Sequence, residues 1–533
     1  MRLFPLFVLL ASCSSSSPPA GESIADAATD GTQLDGASVP DCGPTATVAF
    51  DAGTPGTFAG EAGAACTRDI DCAEGTFCVV VSGQCAPHSL IVGPGKGGHA
   101  ADGGACVASP AFAMDCDSLS LAWSAPQVLS QNAGSVAESD VALVADGHGR
   151  LLAAWANNTA PNDQFNGQAL SIDGGPFSAP AKAPSFAAAY TSNDVQLAMD
   201  GSGVFYQLWE EFGPQFQGAQ HVYVATSHDG QSWGTPLQVD TPADTGGTIP
   251  LDFPDIAINP ASQAPYFTYQ VTTSSGVVPL RLVIGAPGGA VVSASVELDD
   301  GLRPGSDRDL ANGAFDDAGS FYVAWEEMVG NGGSTGQGLE SGDPGNAVYA
   351  ARFDLTGTGG ATRAGPDVKA SGKGEAVLFG LPEVHVTPDG SSVYIVYEEG
   401  KDNAIDVHLV TSHDRGQTFG APVKANDDAT CATHYKSASA LDAQGRLWVL
   451  WYDNRDGAGH LAYTVSDDGG QTFHPNRLVT PYAFPFETFQ YSVGWLGDYF
   501  ALKTTGTEIY AAWSDPHEGD RSHVSFVEAL LPP

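Results

Sequence analysis

The sequence contains seven copies of one unit between residues 141 and 513. Each unit has an apolar stretch, a turn rich in Asp and Gly, and a second apolar stretch that ends in an aromatic residue. The closing aromatics are Trp155, Trp209, Tyr269, Trp325, Tyr397, Trp451 and Trp513, at spacings of 54, 60, 56, 72, 54 and 62 residues. A third and a fourth strand follow, and four antiparallel strands at this period are typical of a propeller blade. The 65 Gly and 35 Pro residues, with only 16% charged residues, also favour a turn-rich all-β protein. We therefore predict that residues 118–533 form a seven-bladed β-propeller of four-stranded antiparallel blades.

The seventh unit lacks its outer strand. After Trp513 there is room for one further strand, residues 523–528, before Pro533. Residues 123–129 read Trp-Ser-Ala-Pro-Gln-Val-Leu and resemble the fourth strands of other units, such as Phe-Gly-Ala-Pro at 419–422. We predict that this N-terminal strand completes the last blade and closes the ring, which removes the free sheet edges. The recurring Pro suits an outermost strand, where no N–H is needed.

Four turns share a second pattern. Residues 466–473 and 412–419 read Ser-x-Asp-x-Gly-x-Thr-Phe, residues 227–233 are one residue shorter, and residues 171–177 are a degraded version. Their carboxylates are Asp173, Asp229, Asp414 and Asp468. A short carboxylate accepts hydrogen bonds from the backbone of its own turn, and Gly takes the positive φ angles. We interpret the four as structural turns between third and fourth strands, with the closing aromatic folded back over the hairpin.

This pattern resembles the Asp-box, or BNR repeat, of sialidases and related β-propellers. The resemblance is specific for the repeat and not for sialidase activity. It implies that the boxes join the two outer strands of a blade, on the face away from the ligand site.

In a blade of four antiparallel strands, successive turns lie at alternate ends. The end of the ring opposite the Asp-rich turns is called the link face. It carries the turns between second and third strands and the links between blades. The predicted ligand-face residues are Asp140, Asp194, Asp255, Arg308, Glu383, Arg455, Asp498 and Arg521. The acids after the repeated aromatics, Glu210-Glu211, Glu326-Glu327, Glu398-Glu399, Asp453 and Asp515, are expected to open loops there. The loop between units six and seven adds the aromatics Tyr482, Phe484, Phe486, Phe489, Tyr491 and Trp495.

Two uses of these side chains remain open. A ring of carboxylates offers the oxygen ligands that Ca²⁺ takes. The preferred interpretation is that they cap strand ends or meet backbone N–H groups, so we assign no cofactor and no metal. Aromatic residues at a cleft can stack on sugar rings, but packing against the propeller is the preferred role for most of them.

Sialidase activity, as the resemblance implies it, needs three arginines around a carboxylate, a Tyr nucleophile paired with Glu, and an Asp acid/base. The family's Phe/Tyr-Arg-Ile-Pro sequence is absent, and seven units depart from its six blades. Arg308, Arg455 and Arg521 lie in neighbouring units, and a Tyr–Glu pair can be drawn from Tyr397, Glu398 and Tyr452. We leave the catalytic residues unassigned. We predict a binding module for a glycan or another extracellular surface partner, with a glycoside hydrolase of the exo-α-sialidase type as the alternative.

The N-terminus predicts export. Met1-Arg2 precedes an apolar run, and residues 10–13, Leu-Ala-Ser-Cys, resemble the bacterial lipobox, in which Cys13 is lipidated. Cleavage without lipid is the alternative. We predict a signal peptide over 1–13, a disordered tether over 14–40, and a lipid-anchored protein of the bacterial cell envelope, at the outer membrane or cell surface. The net charge of −41 disfavours nucleic acid as a partner.

Cysteines cluster in residues 41–117. They are Cys42, Cys66, Cys72, Cys78, Cys85, Cys106 and Cys116, and Cys431 lies in the repeat region. Eight cysteines in an exported chain predict a disulfide-rich segment, whereas zinc would want CxxC pairs or clustered histidines. The pairing does not follow from the sequence. Our working hypothesis is Cys66 with Cys78, Cys72 with Cys85, and Cys116 with Cys431 across the closed ring.

Overall fold

The computed structural model describes residues 112, 119–130, 137–160, 163–186, 191–212, 220–240, 251–271, 279–289, 293–300, 306–329, 347–356, 360–371, 381–401, 404–428, 432–484, 496–517 and 522–533, and the backbone of 76–79 and 84–87. All regular structure in these ranges is β-strand. The described residues form no helix with the length and apolar character of a membrane span. The signal peptide, the tether and all nine cysteine side chains lie outside the described residues, so Cys13 lipidation and the disulfides stay predictions.

The strands form seven blades and one separate hairpin. The hairpin is β1 (Thr76–Val79) with β2 (Gln84–Pro87), and β3 is Gln127–Val128. Blade 1 is β4 (Ala137–Ala145), β5 (Leu151–Ala160), β6 (Asp163–Ser171) and β7 (Ala181–Lys182). Blade 2 is β8 (Thr191–Met199), β9 (Phe205–Phe212), β10 (His221–Ser227) and β11 (Leu237–Gln238). Blade 3 is β12 (Leu251–Ile258), β13 (Pro265–Val271), β14 (Leu280–Ile284) and β15 (Val296–Glu297). Blade 4 is β16 (Ser306–Phe315), β17 (Phe321–Val329), β18 (Ala347–Thr356), β19 (Gly360–Arg363) and β20 (Val368–Lys369).

Blade 5 is β21 (Glu383–Val386), β22 (Val393–Lys401), β23 (Ala404–Ser412) and β24 (Val423–Lys424). Blade 6 is β25 (His434–Leu441), β26 (Leu447–Asp453), β27 (His460–Ser466) and β28 (Arg477–Leu478). Blade 7 is β29 (Ala501–Thr504), β30 (Glu508–Asp515), β31 (His523–Leu530) and the N-terminal β3. First strands contact each other in the order β4, β8, β12, β16, β21, β25, β29 and back to β4, so they surround the axis. The predicted seven-bladed propeller is confirmed.

The predicted closure of the ring is also confirmed. The short strand β3 pairs antiparallel with β31, with Gln127 opposite Phe526 and Val128 opposite Ser525. Hydrogen bonds extend the pairing on both sides, from Leu129 N to Val524 O and from Ser124 N to Glu528 O. The N-terminal segment therefore supplies the outermost strand of the last blade.

The hydrophobic core lies between blades. The seven repeated aromatics are each 1% exposed or less, and neighbouring blades share apolar clusters. Side chains alternate between the two faces of a strand, so each blade contributes one face to each neighbouring cluster. The aromatic therefore recurs because every blade needs a large side chain in this position.

The acids that follow these aromatics lie within strands, so the expectation that they open loops is wrong. Trp209 Nε1 donates to Glu211 at 2.8 Å, Tyr397 OH to Glu399 at 3.0 Å, and Trp451 Nε1 to Asp453 at 3.0 Å. Residues two apart share a strand face, which brings these three acids to the polar atoms of their aromatics. In these three blades the acid therefore satisfies the buried N–H or OH of the Trp or Tyr.

The four Asp-rich turns connect third and fourth strands, as expected. In the turn at 466–473, Asp468 accepts hydrogen bonds from Gln471 N at 2.9 Å, Thr472 N at 3.0 Å and Thr472 Oγ1 at 2.6 Å. Asp414 and Asp229 make the equivalent bonds in their turns. In the degraded turn Asp173 instead adopts a φ of 54°.

The closing aromatics of these turns also make contacts across blades, beyond the predicted packing over their own hairpins. Phe177 of blade 1 meets Phe526 of blade 7 with ring centroids 4.9 Å apart. Trp233 of blade 2 donates its Nε1 to Gln168 of blade 1 at 3.1 Å. The turn glycines make the same approach, because a Cβ on Gly470 would lie 2.7 Å from Leu409 Cδ2 of blade 5. Each turn therefore fastens its blade to the preceding one.

Candidate functional site

Five first strands carry a bulge close to the link face, in blades 1, 2, 3, 4 and 6. In four of these bulges one residue has a positive φ: Asp140 with 53°, Asp194 with 45°, Phe253 with 47° and Lys436 with 54°. A β-bulge re-aims side chains, and Asp tolerates positive φ better than most residues. The bulges gather acidic side chains around the axis.

Five carboxyl groups meet there. The carboxylate oxygens of Asp140, Asp194 and Asp498 lie within 4.8 Å of one another, and those of Asp194, Glu210 and Asp252 do the same. We call these five residues the axial cluster. Asp498 belongs to blade 7, Asp140 to blade 1, Asp194 and Glu210 to blade 2, and Asp252 to blade 3. Asp194 is the member common to both triads.

Few donors compensate this charge among the described residues. The Asp498 N–H donates to Asp140 Oδ1 at 2.6 Å, and Ser139 Oγ donates to Asp140 Oδ2 at 2.9 Å. Gln220 Nε2 donates to Glu210 Oε2 at 2.7 Å. Lys436 places its Nζ 3.3 Å from Asp498 Oδ1.

Burial and crowding make these groups weak acids. Burial, followed by the charge of Asp498, raises the pKa of Asp140 and that of Asp252 to about 7. Burial and the charge of Glu210 raise the pKa of Asp194 well above its usual range, and burial and Asp252 do so for Glu210. Buried like charges favour the neutral form, so the cluster holds protons or attracts a cation.

A cavity of about 240 Å³ lies along the axis. Each first strand or its approach contributes to its wall: Ala142, Gln196, Asp255, Asn312, Glu383, Ser439 and Lys503 are lining residues, one from each blade. Tyr499 lines the cavity, and its pKa is raised well above the usual range by burial and by the charge of Asp194. Its OH lies 3.5 Å from the carbonyl oxygen of Val195, the residue that follows Asp194.

Two predicted ligand-face acids line this cavity instead of joining the cluster. Asp255 Oδ2 accepts from Gly313 N at 3.2 Å, and Glu383 Oε2 accepts from Ser439 Oγ at 2.6 Å. Burial raises the pKa of Asp255 to about 6 and that of Glu383 to about 7. His385 lies 2.8 Å from Ser439 Oγ, and burial lowers its pKa to about 3.

The two predicted ligand-face arginines within the described residues lie in separate ion pairs. Arg308 Nε is 3.4 Å from Asp299 Oδ2. Arg455 Nη2 is 2.7 Å from Asp453 Oδ2, and its guanidinium lies 4.2 Å from the centroid of the Phe112 ring. No contact in the described part of the chain joins these two arginines, and Arg521 lies outside it.

The predicted Tyr–Glu pair is also arranged differently. Tyr397 OH donates to Glu399, whereas Glu398 Oε1 accepts from Ser437 N at 2.7 Å. Tyr452 OH donates to the Ser514 carbonyl at 2.7 Å. Each of these groups therefore has a structural partner.

The aromatic loop is only partly described. Tyr482 OH donates to Asp515, and its ring stacks on His517 with centroids 4.4 Å apart. Phe484 is 3% exposed in the apolar core. Phe486, Phe489, Tyr491 and Trp495 lie outside the described residues.

Sequence reasoning misses two members of the site, Asp252 and Lys436. It places a third, Glu210, on the link face but in a loop rather than in β9, and it selects Asp255 as the acid that opens its blade. The positive φ at Phe253 puts that residue in the position of Asp140 and Asp194, so Asp252 reaches the axis. The only sign in the sequence that Asp252 could take the place of Asp255 is the Asp-x-x-Asp spacing at 252–255.

Comparisons with known proteins identify no family. No family model and no curated protein match the chain. The chain is similar to the structure of a protein of unknown function from Dyadobacter fermentans, with 11% identity, a TM-score of 0.46, and coverage of 77% of this chain and 99% of that one. It is similar to a Hadza microbial sialidase, with 12% identity, a TM-score of 0.43, and coverage of 76% of this chain and 95% of that one. It is also similar to a Penicillium chrysogenum α-L-arabinanase, with 13% identity, a TM-score of 0.42, and coverage of 65% of this chain and 98% of that one. At these identities and TM-scores the similarity carries no information on the ligand or activity of this chain.

Proposed function

We propose that this protein is an exported binding module whose link face takes a neutral or cationic ligand, with neutral glycans of an extracellular surface as the first candidates. The observation that carries the proposal is the convergence of five carboxyl groups in the axial cluster. Asp252 and Asp498 are only partly buried, so they present this charge at the link face. Carboxylates accept strong hydrogen bonds from hydroxyl groups and repel anions.

The charges of the site disfavour an acidic sugar as the ligand. A sugar carboxylate is best held by guanidinium groups that form paired hydrogen bonds. Arg308 and Arg455 are buried and lie against Asp299 and Asp453. We therefore place binding ahead of the sialidase-type alternative.

An exposed aromatic on the link between blades 1 and 2 supplies an apolar surface. Phe186 is 53% exposed, and its ring stacks on Tyr223 with centroids 4.7 Å apart. Its N–H donates to Glu211 Oε2 at 2.9 Å, which fixes the backbone at the link end of β9. A flat, preformed aromatic face suits the apolar face of a sugar ring.

We also propose that the protein acts outside the cell, tethered through a lipidated Cys13. The lipobox-like residues 10–13 support this location. Such an anchor leaves the propeller free to bind at a surface.

A glycan array with the whole protein tests the proposed function. We expect binding to neutral glycans and none to sialylated ones, with no turnover of a fluorogenic sialoside. Preference for sialylated glycans, or sialoside turnover, would overturn the proposal in favour of the glycosidase alternative. Absence of binding across neutral, cationic and anionic glycans would also reject it.

A further inference from the structure

We propose that the axial cluster binds divalent cations of the Ca²⁺ type, one in each triad, and that together these ions join the last blade of the ring to the first three. This inference uses the same axial cluster as the proposed function, but Ca²⁺ binding is measured without any glycan, so the two proposals can fail separately. It rests on the geometry of the carboxylates and on one oxygen without a partner.

The geometry suits one ion per triad. Ca²⁺ lies 2.3–2.6 Å from its oxygen ligands, so ligands on opposite sides are about 5 Å apart. The oxygens of each triad lie within 4.8 Å of one another. The cluster contains no His or Cys, and an all-oxygen donor set selects hard cations rather than zinc.

The second observation is the carboxylate of Asp194. This residue is 2% exposed, and its Oδ1 has no hydrogen-bond partner. Buried carboxylate oxygens are normally paired, because leaving one unpaired costs a large part of its hydration energy. Asp194 is also the member common to both triads, so its carboxylate is within reach of a cation in either one.

The balance of charge agrees with a cation. Five carboxyl groups meet around one described ammonium group, that of Lys436. Lys436 Nζ lies 3.3 Å from Asp498 Oδ1 and donates to the Asp498 carbonyl at 3.0 Å. One ammonium group therefore faces five carboxyl groups in the described part of the chain.

The position of the cluster gives the ion a structural role. Blade 7 approaches blade 1 closely here, since a Cβ on Gly497 would lie 2.5 Å from Asp140 N. Val141 N also donates to Tyr499 O at 3.3 Å. An ion bound by Asp498 and Asp140 would hold the inner strands at the seam that β3 and β31 close on the outside.

The test is a Ca²⁺ titration of the full, chelator-treated protein, followed by calorimetry and by thermal unfolding. We expect saturable binding and a rise of several degrees in the unfolding midpoint, because a ligand that binds only the folded state stabilises it. Asp194→Asn should weaken Ca²⁺ binding at least tenfold, while Asp467→Asn, an exposed carboxylate on the opposite face, should leave it unchanged.

A second variant guards against simple loss of folding. Lys436→Met removes the competing positive charge, so it should tighten Ca²⁺ binding and make folding more dependent on Ca²⁺. Hydrogen exchange should show increased protection of residues 137–141 and 496–501 when Ca²⁺ is added. Absence of Ca²⁺ binding by the wild-type protein, or an unchanged Ca²⁺ response in Asp194→Asn, would overturn the inference and leave shared protons as the occupants of the cluster.

Discussion

The N–H of Asp498 donates a hydrogen bond of 2.6 Å to Oδ1 of Asp140, although the two residues are 358 positions apart. Asp498 precedes the first strand of the last blade, and Asp140 lies in the first strand of the first blade. This bond closes the ring at the axis, while the pairing of β3 with β31 closes it at the rim. The carboxylates that define the link face are therefore part of the seam of the fold.

Removing the hydroxyl of Ser130 should weaken the outer seam. Ser130 Oγ accepts from Val524 N at 2.8 Å, and Ser130 is fully buried. Ser130→Ala leaves a buried donor unpaired, so we expect the free energy of unfolding to fall by about 2 kcal/mol. Ser124→Ala is the control, because Ser124 accepts from Glu528 N at an exposed position. Equal effects of the two variants in denaturant unfolding would contradict this account of the seam.

The turn carboxylate Asp468 should stabilise blade 6. Asp468→Ala removes the acceptor of two backbone N–H groups and one hydroxyl, and we expect a loss of about 1 kcal/mol in the free energy of unfolding. The neighbouring Asp467 is exposed, so Asp467→Ala should change stability by less than about 0.5 kcal/mol. Chemical denaturation of both variants measures the difference, and no difference would remove the structural role assigned to the box.

Gly470 should be intolerant of a side chain. Its φ is 85°, and a Cβ would lie 2.7 Å from both Leu409 Cδ2 and Thr411 Oγ1 of blade 5. Gly470→Ala should therefore lower the free energy of unfolding by roughly 2 kcal/mol. A Cβ on Gly506 would meet nothing within 4 Å, so Gly506→Ala should be neutral or slightly stabilising. A neutral Gly470→Ala would show that the turns do not fasten one blade to the next.

The cavity acids predict a specific pH dependence. Glu383 has its pKa raised to about 7 by burial, in a cavity that also holds Asp255, His385 and Lys503. Between the usual pKa of a glutamate and this raised pKa, the folded state binds a proton that the unfolded state releases. The contribution of Glu383 to the free energy of unfolding is therefore fully present below about pH 4 and is lost as pH rises through 7. Its size is about 3 kcal/mol for a shift of this extent.

Glu383→Gln should remove this dependence. The amide keeps an acceptor for Ser439, so the variant should gain stability relative to wild type between pH 5 and pH 8. Urea unfolding at several pH values measures the gain. A difference between the two proteins that is constant with pH would contradict the raised pKa.

Much of the fold was predictable because every blade has the same packing requirements and therefore a similar sequence pattern. Trp155 and its counterparts recur because every interface between blades needs a large buried side chain. Residues 123–129 have the same sequence pattern as other fourth strands, which identified the strand that closes the ring. The partners of the box aromatics were not predictable. Phe177 and Trp233 contact residues of another blade, and the sequence of their own hairpins does not indicate those partners.

The site was predictable in outline and wrong in detail. Asp140, Asp194 and Asp498 meet, as their shared position at the link face suggested. Asp252 rather than Asp255 joins them, because a bulge changes which residues of β12 face the axis. One residue of register moves a side chain to the other face of a strand, and the sequence does not mark the bulge.

The central claim is that the link face binds the ligand and that the face with the Asp-rich turns does not. The most direct measurement is the affinity of two matched variants for the neutral glycan found on the array. Phe186 on the link face is 53% exposed, and Ile172 on the opposite face is 50% exposed, so neither change removes a core residue. We predict that Phe186→Ala weakens binding at least tenfold while Ile172→Ala binds like wild type. Unchanged binding by Phe186→Ala together with loss of binding by Ile172→Ala would contradict the assignment of faces.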